Sequence, residues 1–176
     1  MSLADWQWQL DVNLWGVIHG CHVFAPDMRA RGEGFILNVA SAAGLLSFPE
    51  MAPYNVTKSA VVALSRSLCA ELSAAGVKVG VLCPSFFRSQ IHASARTTQA
   101  RLGTTAERLV TRARWSAEDV ARVALRGLER GRLHIVPQLD ARLLWRLQRL
   151  FPGGLQWLIG VLHAADLLDR LGKRAA

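Results

Sequence analysis

A short continuous apolar run, FILNVA at 35–40, and a second strand-like segment, VKVGVLCP at 77–84, flank a long segment with helical spacing. The first suits a strand buried on both faces, and the second is the next strand. Between them Val61, Leu64, Leu68 and Leu72 recur at intervals of three and four. They predict a helix from about Tyr54 to Ala75, ended by Gly76. Strand, helix and strand in this compass predict a right-handed βαβ unit within a parallel sheet. The fold class is therefore α/β, a partial Rossmann-like, doubly wound arrangement with about three parallel strands.

The rest of the pattern fits that frame. Residues 5–30 read as a helix: Asp5 can cap it, and Trp6, Leu10, Leu14, Val17, Ile18, Cys21 and Val23 give its apolar surface. Pro26 is placed to kink or end it. A loop with Gly44, Pro49 and Pro53 follows the first strand, and a polar, flexible-looking segment runs from Pro84 to Trp115. Ser116, with Glu118 and Asp119 behind it, opens a helix to about Arg130. RLHIVP supplies a third strand. Residues 1–137 thus form the body of one domain. Its tail, 138–176, alternates Leu and Trp with Arg in two amphipathic helical pieces broken at Pro152-Gly153-Gly154.

A hydrophobic fraction of 51% excludes disorder. The three cysteines, Cys21, Cys69 and Cys83, lie in apolar runs at no metal-ligand or disulfide spacing, as buried thiols in a reducing compartment do. The first dozen residues lack a basic region followed by an apolar core, so no secretory signal is visible. No apolar run approaches the ~18 residues a spanning helix needs. The expectation is a cytoplasmic protein whose Leu/Trp/Arg tail packs over a pocket or a partner subunit, the alternative for such a tail being peripheral membrane contact. The net charge of +8 comes from scattered arginines without a recognisable module or interleaved aromatics. That pattern argues against a nucleic-acid binder and for solvated faces.

The segment NVASAAGLLSFPEMAPYNVTK, 38–58, carries the chemistry. Tyr54, the chain's only tyrosine, and Lys58 lie at i and i+4, on one face of the predicted helix. A nearby ammonium favours the phenolate and lowers a pKa that starts near ~10. Such a tyrosine can give or take a proton at a substrate oxygen. Ser41 follows the first strand, where open α/β sheets bind ligands, and can hold that same oxygen. Alone, Tyr-x-x-x-Lys is a weak signal that an ordinary surface pair would also produce.

Four segments together, DVNLWG (11–16), NVASAAG (38–44), YNVTK (54–58) and VGVLCPSFFRS (79–89), resemble the short-chain dehydrogenase/reductase family in order and spacing. The resemblance implies an NAD- or NADP-dependent oxidoreductase that interconverts a carbonyl and a secondary alcohol. It makes Tyr54 the general acid/base and Ser41 the residue that positions the carbonyl. Lys58 would tune Tyr54 and bind the nicotinamide ribose. Asn13 matches the helix asparagine that holds a relay water; read alone, it is a polar residue tolerated mid-helix. Pro84, Phe87 and Ser89 match the segment that meets the nicotinamide amide. Ser85 replaces the usual glycine and Ser89 the usual threonine, and a serine at 85 would strain a turn that needs positive φ.

The resemblance further implies a homo-oligomer through helices 5–30 and 54–75. The substrate would be a small carbonyl or alcohol, and the apolar Leu45, Leu46, Phe48, Met51, Phe86 and Phe87 lean towards an apolar one. One element of the family's pattern is missing: no Gly-x-x-x-Gly-x-Gly turn occurs in the sequence. Residue 1 falls just before what resembles the family's fifth helix. The expectation is a longer enzyme whose front half lies outside these residues, this portion alone binding NAD(P) poorly. The alternative is a catalytically silent half-domain that serves as an interaction, dimerisation or membrane-surface protein.

Overall fold

The computed structural model describes residues 2–90 and 107–165. Helix α1 (Leu3–Leu10) passes through a π turn (Asp11–Trp15) into α2 (Gly16–Arg31). Strand β1 (Gly34–Val39) follows, then α3 (Ala43–Leu46), α4 (Ala52–Leu72) and β2 (Val77–Leu82). Beyond residue 106 come a helical stretch at 107–111, α5 (Ala117–Glu129), β3 (His134–Ile135), α6 (Leu139–Leu150) and α7 (Pro152–Ala164).

The three strands are parallel in the order β1-β2-β3. The β1–β2 ladder runs from Gly34↔Val77 to Val39↔Leu82, and Val81↔His134 and Leu82↔Ile135 attach β3. All three carboxyl ends therefore open on one edge of the sheet. Successive residues of a strand point to opposite faces. On one face Ile36, Val77 and Val79 pack with Cys21 and Ala25 of α2 and Leu72 of α4. On the other, Leu82 and Ile135 pack with Val120, Ala124 and Leu128 of α5.

The structure refines the expected elements at several points. FILNVA is not buried on both faces: Ile36 and Asn38 are buried, but Phe35 and Val39 are exposed. Helix α5 lies across β2 and β3 and meets β1 chiefly at Leu37, so only β2 is enclosed on both sides. The first helix is capped by Ser2 rather than Asp5. Asp5 is instead the N3 member of a reciprocal capping box, each side chain bonding the other's backbone N–H. Pro26 neither ends nor replaces the helix, which runs on to Arg31 and stops at Gly32 with φ 76°. Both Pro26 and His22, whose carbonyl the proline leaves without an N–H, are exposed to water. The loop after β1 contains the short helix α3. Most of the polar segment after Pro84 lies outside the described residues, although Arg88 bridges to Ser116 in parallel.

The tail breaks at Phe151, one residue earlier than expected, and Pro152 occupies the first turn of α7. Both tail helices are seated on the sheet. Ala141 and Leu155 are buried with Ala40, Leu46, Val61, Val81, Cys83 and Val136, and Gln156 Nε2 donates to the Leu46 carbonyl at 2.7 Å.

A polar chain crosses the α2/β1/α4 layer. The Cys21 thiol donates to Asn38 Oδ1 at 3.5 Å, Asn38 Nδ2 to Ser65 Oγ at 2.9 Å, and Ser65 Oγ to the Val61 carbonyl at 2.7 Å. Every donor is satisfied in order, which a buried network requires. Asn38→Asp would replace its donor with a buried anion among apolar neighbours. We expect a loss of about 2–4 kcal/mol at pH 8 relative to the wild type. The carboxyl is neutral in the folded state at lower pH, so the deficit should shrink at pH 5. Melting curves of both proteins at the two pH values test this.

Candidate active site

The carboxyl ends of β1 and β2 bring Ser41, Tyr54, Lys58, Cys83 and Pro84 together. Past β1, the Ala40 N–H donates to the Leu82 carbonyl and the Ala42 N–H to the Pro84 carbonyl at 2.9 Å, tying the two strand ends. Ser41 sits between those bonds, and its Oγ accepts from the Ala43 N–H at 3.1 Å. Helix α4 starts after Met51 with Pro53 in its first turn, placing Tyr54 near its N-terminus and Lys58 one turn further on. Asn55 fixes the entry to this helix by donating to the Phe48 carbonyl at 2.6 Å.

The Ser41 side chain lies close enough to the Tyr54 hydroxyl to favour its charged form. Lys58 Nζ stands 5.7 Å from the centre of the Tyr54 ring and donates to the Val39 carbonyl at 3.2 Å. The electrostatics depart from the sequence expectation. Burial pushes the Tyr54 hydroxyl above its ordinary value, and the nearby Ser41 side chain offsets this only in part. Burial likewise holds the Lys58 ammonium below its ordinary value, against the opposing pull of Cys83. Desolvation of both groups outweighs the attraction expected to favour a phenolate.

Asn13 lies in the π turn, which packs against α4. Its Nδ2 donates to Gln9 Oε1 at 2.7 Å, so its direct bond goes to Gln9 and not to Lys58. Single π turns of this kind are often retained at functional positions. Pro84 is buried, while Phe87 turns away and packs with the α5 cluster. Ser89 Oγ is buried and has no hydrogen-bond partner among the described residues.

Ser85 carries none of the strain expected of it. The non-glycine residues at positive φ among those described are Ser47 and Glu50. Gln138, which the motif did not point to, takes over the control of this loop. Only 4% exposed, its Oε1 accepts from the Ser85 N–H at 3.0 Å and its Nε2 donates to the Phe86 carbonyl at 3.4 Å. No local pattern marks a glutamine that acts across more than fifty residues.

Beneath the site, Cys83 is fully buried. Desolvation pushes its thiol from an ordinary 9.0 up to about 12, against the lowering effects of Lys58 and the Ser41 N–H. An acid with a raised folded pKa keeps its proton in the folded state, so stability falls as pH rises from 9 towards 12. At about pH 10.5 the contribution is roughly 2 kcal/mol, from 1.36 kcal/mol per unit. Cys83→Ala should therefore lose less melting temperature than the wild type between pH 8 and pH 10.5. Parallel slopes for the two proteins would contradict the assignment.

With the fold and the geometry of this sheet edge established, comparison with known proteins gives the family. The short chain dehydrogenase family model matches residues 1–100, and the chain belongs to that family. A Mycobacterium tuberculosis protein named oxidoreductase SadH is 29% identical over 154 residues, 85% of this chain and 56% of its own length. Among solved structures, a short chain dehydrogenase/reductase from Burkholderia phymatum in complex with NAD superposes with a TM-score of 0.77. It is 34% identical, over 86% of this chain and 59% of that one. A short-chain dehydrogenase from Sphingobium yanoikuyae in complex with NADPH gives 0.65 at 26% identity, over 84% and 54%. The chain thus spans about half the length of the relatives it matches.

Proposed function

We propose that the protein acts as an NAD(P)-dependent oxidoreductase interconverting a carbonyl and a secondary alcohol at Ser41, Tyr54 and Lys58. The observation that carries this reading is the meeting of the Ser41 and Tyr54 side chains, with Lys58 one turn further along α4, at the carboxyl edge of the sheet. Both hydroxyls can reach one substrate oxygen from there. Ser41 holds the oxygen, and Tyr54, kept protonated by burial, delivers a proton to it in reduction. In oxidation the Tyr54 phenolate takes the proton from the substrate hydroxyl and becomes the hydroxyl again. Lys58, whose burial eases loss of its own proton, replenishes Tyr54 through the edge of the site. The π turn places Asn13 beside α4, where it extends this route towards solvent.

When bound, the nicotinamide supplies or accepts the hydride. The residues present suit its nicotinamide end: Ser89 Oγ is a buried hydroxyl without a partner among the described residues, and Lys58 Nζ lies beside Tyr54. The half-buried Leu45, Phe48 and Met51 and the exposed Phe86 favour an apolar substrate. Pairing of two copies through the π turn between α1 and α2, where Val12 and Trp15 stand exposed, and through α4, where Val56 does, completes the reading.

Deuterium tracing tests it. The protein is incubated with NADH or NADPH deuterated at the nicotinamide C4 and a panel of apolar ketones. Deuterium at the carbinol carbon of the product, formed about 10²-fold more slowly by Ser41→Ala, is the expected result. No transfer from either cofactor to any ketone would sink the proposal.

A further inference from the structure

The tail helices are clothed the wrong way round for a core-facing pair. The inner face of α6 is served by the small Ala141 and the half-buried Trp145, whereas Leu139, Leu143, Leu147 and Leu150 follow one another outward at spacings of four, four and three. Leu150 is 71% exposed. Helix α7 repeats the arrangement: Leu155 is buried, while Trp157, 70% exposed, and Val161 lie outward one turn apart. Because Ala141 and Leu155 are locked into the sheet's core and Gln156 is bonded to Leu46, the helices cannot roll to hide these side chains. Contiguous exposed apolar surface of this kind marks an interaction site.

Charge selects the partner. Arg146 and Arg149 project from α6 beside the leucine row, both exposed, with Arg149 lying 5.4 Å over the Trp145 ring. Arg142, by contrast, is spent on the Val136 and Pro137 carbonyls. The one acidic residue between 139 and 164 is Asp140, which accepts from Ser85. Leucine and tryptophan flanked by arginine, with no opposing acid, is the make-up of a helix that lies in a membrane interface. Among the described residues no helix is long and apolar enough to cross a bilayer.

We propose that the outer face of α6 and α7 docks this protein onto an anionic lipid surface, with the leucine row and Trp157 in the acyl boundary and Arg146 and Arg149 at the headgroups. None of these residues belongs to the site of Tyr54 and Ser41, so surface binding and chemistry are separable. The 176-residue chain is sedimented with vesicles of phosphatidylcholine alone and of phosphatidylcholine with one quarter phosphatidylglycerol. Binding to the anionic vesicles that weakens with salt is expected. Leu143→Ser with Leu147→Ser should weaken it at least tenfold. Arg146→Gln with Arg149→Gln should weaken it roughly thirtyfold on anionic vesicles, at about 1 kcal/mol per arginine, and barely on neutral ones. Brominated lipid should quench intrinsic fluorescence in the parent and markedly less in Trp157→Phe, a variant that leaves the fold untouched. The proposal is overturned if the parent binds neither vesicle, if quenching is identical in Trp157→Phe, or if the leucine variants only dissolve a dimer. That last result would assign the face to a second copy of the chain.

Discussion

Tyr54→Phe is expected to lower turnover by about 10³-fold while the melting temperature moves by no more than a few degrees. The change removes one oxygen and leaves the ring where it packs beside Lys58. Its structural cost is the polar contact of the hydroxyl with Ser41, at most about 1 kcal/mol. Its chemical cost is the proton donor itself, and positioned acid–base groups contribute typically 10² to 10⁴. The pH dependence gives a second reading from the same variant. Because burial raises the Tyr54 pKa, the hydroxyl stays protonated beyond its ordinary range. Reduction should persist to alkaline pH in the parent, and oxidation, which needs the phenolate, should rise with pH over the same window. Residual activity in Tyr54→Phe should show neither limb. Turnover within tenfold of the parent would remove Tyr54 from the chemistry.

What could be read from the residues is what local chemistry determines. The second strand, the helix behind it and the capping box at Ser116 follow from apolar period and side-chain caps, and they appear within a residue or two of expectation. Juxtaposition of Ser41 with Tyr54 follows from a strand end and a helix start meeting at one sheet edge. Features set by contacts distant in sequence were not visible. No residue type announces the π turn at Asp11–Trp15, which depends on how α1 and α2 lie against α4. Gln138 reaches its loop only once β3 has aligned with β2. The pKa directions at Tyr54 and Lys58 reversed the simple charge-pair expectation because burial, not spacing, dominates them. The tail break was legible after all: proline favours a first helical turn, so Pro152 marks a start, not an interruption.

Gly44→Ala should cost about 3 kcal/mol, a drop of roughly 6–12 °C in melting temperature for a chain of this size. Gly44 is the second residue of α3, where that short helix rests on α4. A Cβ there would stand 2.6 Å from the Lys58 carbonyl carbon, 2.7 Å from its oxygen and 3.0 Å from the Ser59 nitrogen. All three are backbone atoms inside a 21-residue helix, so no side chain can swing aside. Ser59 Oγ also donates to the Gly44 carbonyl at 2.9 Å, and that bond would break if the helices separated. Relief requires α3 to lift from α4, and Ser41 lies just two residues before α3. The substitution should therefore loosen the Ser41–Tyr54 contact as well as the fold. Catalytic loss measured well below the melting temperature would then exceed what the unfolded fraction accounts for. A variant that melts like the parent would mean that α3 does not rest on α4 as described.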